Sequence, residues 1–183
     1  ITVMGRNCGD IALHTALSCG AELYMVPEIP WSLEEVSERV KWGVLRGKRS
    51  MILVFAEGAL SSLTTNLHEL FAQHPELGDI DESELDSHQI ARIIEVLSGH
   101  ETRSTVLGYL QRGGSPSARD RILGTMLGAQ AVHLLHDDVS GVAVGVRGMD
   151  QIYVPLDEVQ KGMHLADRGI ADTIDVMAVM TRK

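Results

Sequence analysis

Apolar residues come in short blocks separated by glycine, proline and polar clusters, and the blocks alternate between two periods. Ile1 to Met4 is an apolar run that reads as a strand. Gly5-Arg6 follows, and Gly9-Asp10 opens a helix through about Ser18, with Asp10 placed as its N-cap and Gly20 as its stop. Leu23 to Val26 is a second strand, closed by Pro27. Ser32-Leu33-Glu34-Glu35 has the form of a capping box, and Val36, Val40 and Val44 continue one helical face. Met51 to Ala56 is apolar without a break and ends at Glu57, as expected of a strand covered on both faces in a parallel sheet. Residues 58 to 83 are polar and irregular, with one short helical candidate around Leu67 to Phe71. Ile90, Ile93, Ile94 and Leu97 mark an amphipathic helix that ends at Gly99. A strand is predicted over Ser104 to Tyr109 and a long helix over Ser117 to Leu135, with Ile122, Leu123, Met126, Leu127 and Leu134 inward. Val142 to Val146 and Ile152 to Val154 are further strands, and a helical tail closes the chain. The alternation predicts an α/β fold: a three-layer sandwich with a mainly parallel sheet and helices on both faces.

In such sheets ligands sit beyond the carboxyl ends of the strands. The predicted ends carry Gly5-Arg6, Glu28, Glu57 and Tyr109-Leu110-Gln111-Arg112. Composition sharpens this picture. The 183 residues are 44% hydrophobic, enough for one domain with a substantial core, and no internal repeat or linker is evident. The net charge of −9 argues against nucleic acid or an anionic membrane surface as partner, so clustered arginines beside glycines gain weight. No apolar run approaches the length of a membrane span and no signal segment opens the chain, which points to the cytoplasm. Cys8 and Cys19 are too few for a disulfide framework and read as free thiols. Ile1 to Met4 has no polar lead-in, so the chain is expected to start within a domain.

Arg112-Gly113-Gly114-Ser115-Pro116 combines a guanidinium fork, paired glycines that expose backbone N–H groups, and a helix start that favours anions. The plainer alternative is a glycine turn with a solvated arginine. Met4-Gly5-Arg6 repeats the design at the first strand end, where a surface arginine is again the alternative. Glu57 must be solvated, paired or bound to a polar ligand, because a lone buried carboxylate is unfavourable. It could accept from sugar hydroxyls or pair with an arginine. Arg46-Gly47-Lys48-Arg49 lies at a strand's amino end, where cations opposing a helix dipole would explain it. His133 and His136 have helical spacing but no further ligands, so no metal site is assigned. Ser115 has no histidine in evidence to activate it.

Taken together, Met4 through Asp10, Ala56-Glu57-Gly58 and Glu101 through Pro116 closely resemble bacterial-type 6-phosphofructokinase, and the likeness continues through Asp120-Arg121-Ile122-Leu123. That family transfers the ATP γ-phosphate to the 1-hydroxyl of fructose 6-phosphate. The resemblance implies the family's second, substrate domain. Met4, Gly5 and Arg6 would contact the sugar phosphate, Arg6 near the transferring phosphoryl group. Glu57 would receive sugar hydroxyls. Arg103 and Arg112 would grip the 6-phosphate, Arg103 in a neighbouring subunit's site of a homotetramer. Tyr109 stands where many members carry a substrate-binding histidine; a phenol can hydrogen-bond but cannot carry positive charge. The family's nucleotide effector site maps onto Glu22, Arg46, Lys48, Arg49 and Ser50, with Arg46 in place of the usual lysine. Residues 58 to 100 exceed the compact bacterial pattern and read as a surface insertion.

The family's Gly-Gly-Asp-Gly-Ser nucleotide segment and Thr-Ile-Asp-Asn-Asp catalytic segment do not occur in these 183 residues; the resemblance places them before Ile1, with ATP and Mg2+. Thr173-Ile174-Asp175 echoes the second segment, but Val176-Met177 follows and its position is wrong. The 183 residues alone are therefore expected to be inactive. A pyrophosphate-dependent kinase and a non-catalytic sugar-phosphate-binding regulatory subunit are the alternatives.

Overall fold

The computed structural model describes residues 1–161 and 166–180. The chain opens by alternating strand and helix: β1 (Thr2–Val3), α1 (Asp10–Cys19), β2 (Leu23–Met25), α2 (Leu33–Leu45) and β3 (Leu53–Ala56). β3 lies between β1 and β2 in a three-stranded parallel sheet, with Thr2 opposite Phe55 and Leu23 opposite Leu53. The apolar run around β3 fits its central place: Val54 and Ala56 are buried, and the alternating Leu53 and Phe55 are partly buried against the core. Next come α3 (Leu67–Gln73) and α4 (Ser87–Ser98). After a 3-10 turn at Gly108–Arg112 follow α5 (Ala118–His136), β4 (Val142–Arg147), β5 (Asp150–Pro155), α6 (Leu156–Lys161) and α7 (Arg168–Met180).

The chain forms two compact units: one is Ile1–Arg112 together with α7, and the other carries α5, β4, β5 and α6. In the first unit α1 packs on α7 and on β2 and β3, while α2 packs on α4.

Local signals set most boundaries. Gly20 ends α1 in the left-handed conformation (φ 66) and its N–H donates to Ala16 and Leu17 carbonyls. The sequence places Asp10 at the cap of α1, but Gly9 holds that position and Asp10 lies in the first turn, where a carboxylate still favours the dipole. Ser32 caps α2, its Oγ accepting from Glu35 N–H at 3.2 Å. The Glu35 carboxylate does not return to the cap and instead accepts from Arg39 at 3.3 Å. Asp86 and Gln89 form a reciprocal capping box on α4, and Gly99 (φ 73) stops it.

Four expectations change. The segment Ser104 to Tyr109 is not a strand: Val106 alone bridges to Thr2, because Gly108 turns left-handed (φ 47) and starts the 3-10 turn. Met126, Leu127 and the other apolar positions of α5 are not buried, although the helix packs on β4 within its unit. The two later strands do not extend the parallel sheet but pair antiparallel with each other, joined through Gly148 (φ 64). Finally, the 58 to 100 stretch is not only surface: Ala59, Leu70, Leu77 and Ile80 are buried with Ile90, Ile93 and Ile94 of α4. Trp31 secures its start, donating from Nε1 to the Ala59 carbonyl at 2.8 Å while meeting Phe55 edge to face.

Candidate functional site at the sheet edges

At the carboxyl edge, β1 delivers Met4 and β3 delivers Glu57, both just past the last paired residue. The 3-10 turn brings Gly108, Tyr109 and Arg112 alongside. These residues line a hollow of about 220 Å³. Tyr109 is 85% exposed at its rim, so the phenol is free to meet a ligand. Gln111, given no role by the motif reading, holds the turn to the strand: its Oε1 accepts from Met4 N–H at 2.7 Å.

Arg6 stands at the same edge but is not among the residues lining the hollow; its main chain lies against Gly58. Glu57 N–H donates to the Val3 carbonyl and Gly58 N–H to the Gly5 carbonyl, both at 2.9 Å. Among the described residues the side chains of Arg6, Glu57 and Arg112 make no hydrogen bond or ion pair. Two cations and one carboxylate are thus left unengaged at one rim, which suits a ligand carrying both an anionic group and hydroxyls. Close by, burial is the main influence that pushes the Cys8 thiol up from its ordinary value, with the Asp10 and Glu28 carboxylates adding to it, so Cys8 is no ready nucleophile.

The glycine motif behaves differently from its sequence reading. Arg112 ends a 3-10 turn and not a strand. The start of α5 is already capped by its own residues: Ser117 Oγ accepts from Asp120 N–H at 3.2 Å, and Asp120 Oδ2 accepts from Ser117 N–H at 2.8 Å. The Ser117 hydroxyl and N–H hold the Asp120 carboxyl below its usual range. An ionised carboxylate occupies the place where an anion was expected, leaving Arg112 to carry the motif's positive charge.

Arg103 does not join Arg112. It precedes the bridge at Val106, at the amino edge of the sheet, and its Nε donates to Glu101 at 2.8 Å. With Lys48, Arg49 and Ser50 it lines a cavity of about 580 Å³ there. Glu22, Arg46 and Lys48 line a separate cavity of about 350 Å³ with Arg39 and Trp42. Lys48 Nζ donates to Glu22 at 2.9 Å, the other Glu22 oxygen accepts from Ile52 N–H at 2.7 Å, and the Arg46 guanidinium lies 3.4 Å over the Trp42 ring. The five residues mapped to an effector site therefore divide between two neighbouring cavities, with Lys48 common to both.

Asp175, in the echo of the catalytic segment, accepts from Tyr24 OH at 3.1 Å and lies 3.8 Å from Arg39, tying α7 to β2 and α2. Among the described residues no three His, Cys, Asp or Glu side chains gather as a metal ligand set.

A family model described as Phosphofructokinase matches residues 1–135. An ATP-dependent 6-phosphofructokinase of Lysinibacillus sphaericus is 37% identical over 167 residues, covering 91% of this chain and 44% of that protein. One from Alkaliphilus metalliredigens is 36% identical over 181 residues, covering 99% of this chain and 48% of its own length. The chain thus spans about half the length of these curated relatives. Among solved structures, phosphofructokinase from Saccharomyces cerevisiae superposes with a TM-score of 0.67 at 27% identity, over 100% of this chain and 22% of that one. Pichia pastoris phosphofructokinase in the T-state gives 0.65 at 27% identity, over 99% and 19%.

Proposed function

The chain belongs to the phosphofructokinase family, and on that footing we propose that it is the sugar-phosphate-binding half of an ATP-dependent 6-phosphofructokinase. In the longer protein the reaction is transfer of the ATP γ-phosphate to the 1-hydroxyl of fructose 6-phosphate, giving fructose 1,6-bisphosphate. One observation carries the reading: Met4, Glu57, Tyr109 and Arg112, distant in sequence, line one hollow at the carboxyl edge of the sheet. The relatives' names favour ATP over pyrophosphate as donor.

The division of labour follows from charge and geometry. Arg112 offers a planar fork to the 6-phosphate, and Glu57 offers acceptor oxygens to the sugar hydroxyls. Met4 and Gly5 present backbone, and the Tyr109 phenol stands at the rim as a neutral donor. Arg6, at the same edge, contacts the sugar phosphate and offsets charge developing on the transferring phosphoryl group. Arg103, at the other edge, serves the site of a neighbouring subunit in a homotetramer. The general base and the ATP and Mg2+ sites are assigned to sequence outside these residues. Glu22, Arg46, Lys48, Arg49 and Ser50 are assigned to a nucleotide effector, and 58 to 100 to an insertion that is built into the core. A chain of this kind works in the cytoplasm; no helix among the described residues is long and apolar enough to cross a membrane.

Calorimetric titration of the chain with fructose 6-phosphate tests the proposal. Weak saturable binding is expected, and Arg112→Ala removes it. Identical binding by the wild-type chain and Arg112→Ala would sink the assignment.

A further inference from the structure

The Arg6 loop is held from two sides by residues that the motif reading gave no role. Gly58 has φ −89 and ψ 4, a backbone conformation open to any residue, so its glycine is not required by the chain's own path. Space requires it. A Cβ added at Gly58 would overlap the Arg6 carbonyl oxygen and come within 3.1 Å of Arg6 Cα. These are main-chain atoms that cannot swing aside as a flexible side chain would. Gly5 is close-packed in the same way: it is at φ 142, and a Cβ there would lie 2.6 Å from the Cys8 carbonyl oxygen.

Glu28, at the end of β2, holds the loop's far end. Its Oε1 accepts from Gly9 N–H and from Ala166 N–H, each at 3.0 Å, and its Oε2 lies 3.1 Å from Gly9 N. Charge-assisted bonds to two backbone donors fix both direction and distance. The segment from Met4 to Gly9 is therefore clamped between the Glu57-Gly58 turn and the Glu28 carboxylate, with Arg6 on its exposed crest.

We infer that Gly58 and Glu28 are positioning residues that fix Arg6 beside Glu57 and thereby set the affinity of this edge for a sugar phosphate. The affinity part rests on the site reading under "Proposed function"; the positioning part does not. A displacement of about 1 Å in a charged contact is enough to weaken a site by an order of magnitude or more.

The test compares Gly58→Ala and Glu28→Ala with Gly43→Ala, whose Cβ would meet the movable Met51 sulfur near the opposite sheet edge. Two readouts are taken on the 183-residue chain: amide chemical shifts of Gly5 to Gly9 without ligand, and fructose 6-phosphate titration. The first two variants should move those amides and weaken binding roughly tenfold. Gly43→Ala should do neither, even where it lowers the melting temperature as much. A folded Gly58→Ala with wild-type shifts and wild-type affinity overturns the inference. If Gly58→Ala does not fold, Glu28→Ala, which removes the acceptor of the Gly9 and Ala166 N–H groups, decides in its place, and unchanged amide shifts and affinity there overturn it too. If the wild-type chain takes up no fructose 6-phosphate, the site reading fails by itself, and the amide shifts alone judge the positioning.

Discussion

Tyr24 illustrates how one side chain ties distant segments. Burial first, and then the Asp175 carboxylate that accepts its hydrogen bond, push the phenol up to about 12. The folded state thus favours the neutral phenol more than the unfolded chain does. Its contribution is complete below the ordinary value of 10.0 and is lost as pH rises toward 12. The urea midpoint of the wild type should fall over that interval, and Tyr24→Phe should lack that part of the fall; parallel pH dependence in the two chains would refute the assignment. At this scale sequence was informative about charge and silent about partners. Glu57 and Arg112 stood out because ionisable groups at the ends of apolar runs need a reason. Gln111 did not stand out, since its acceptor role toward Met4 spans 107 positions and has no local signature. Glu28 likewise looked like any carboxylate after a proline until Gly9 and Ala166 were found against it.

Elements governed by neighbouring residues were legible, and those governed by remote ones were not. The Gly99 stop of α4 was read from the sequence; the Asp86–Gln89 capping box that opens the helix is equally local and was not. Asp86 Oδ1 accepts from His88 and Gln89 N–H at 2.8 Å each. Asp86→Ala should therefore lower stability by about 1 kcal/mol in urea unfolding, with the m-value unchanged. A loss near zero would mean that the packing of Ile90, Ile93 and Ile94 alone sets this end. The segment Ser104 to Tyr109 shows the opposite case. Its β-prone residues suit a strand, yet Gly108 leaves the extended region and the pairing stops after one bridge to Thr2. The apolar face of α5 was legible as a pattern, but a pattern does not say whether anything covers it.

For the molecule as a whole, catalysis is expected to need more than these 183 residues. Neither the nucleotide segment nor the catalytic aspartate segment of the family occurs in them. The chain mixed with ATP, Mg2+ and fructose 6-phosphate should form no fructose 1,6-bisphosphate above background in a coupled assay; steady turnover would overturn this. Sequence by itself determined the α/β class, the order of strands and helices through α4, and the acid and arginines that mark the sheet's rim, because apolar periodicity, caps and strand-end charges are properties of adjacent residues. Tertiary structure alone decided that Glu57 and Arg112 share a hollow while Arg103 lies at the other edge, and that the chain forms two units. Those outcomes depend on strand order and on contacts between segments far apart along the chain, where steric fit and hydrogen-bond geometry act and local pattern carries no record of them.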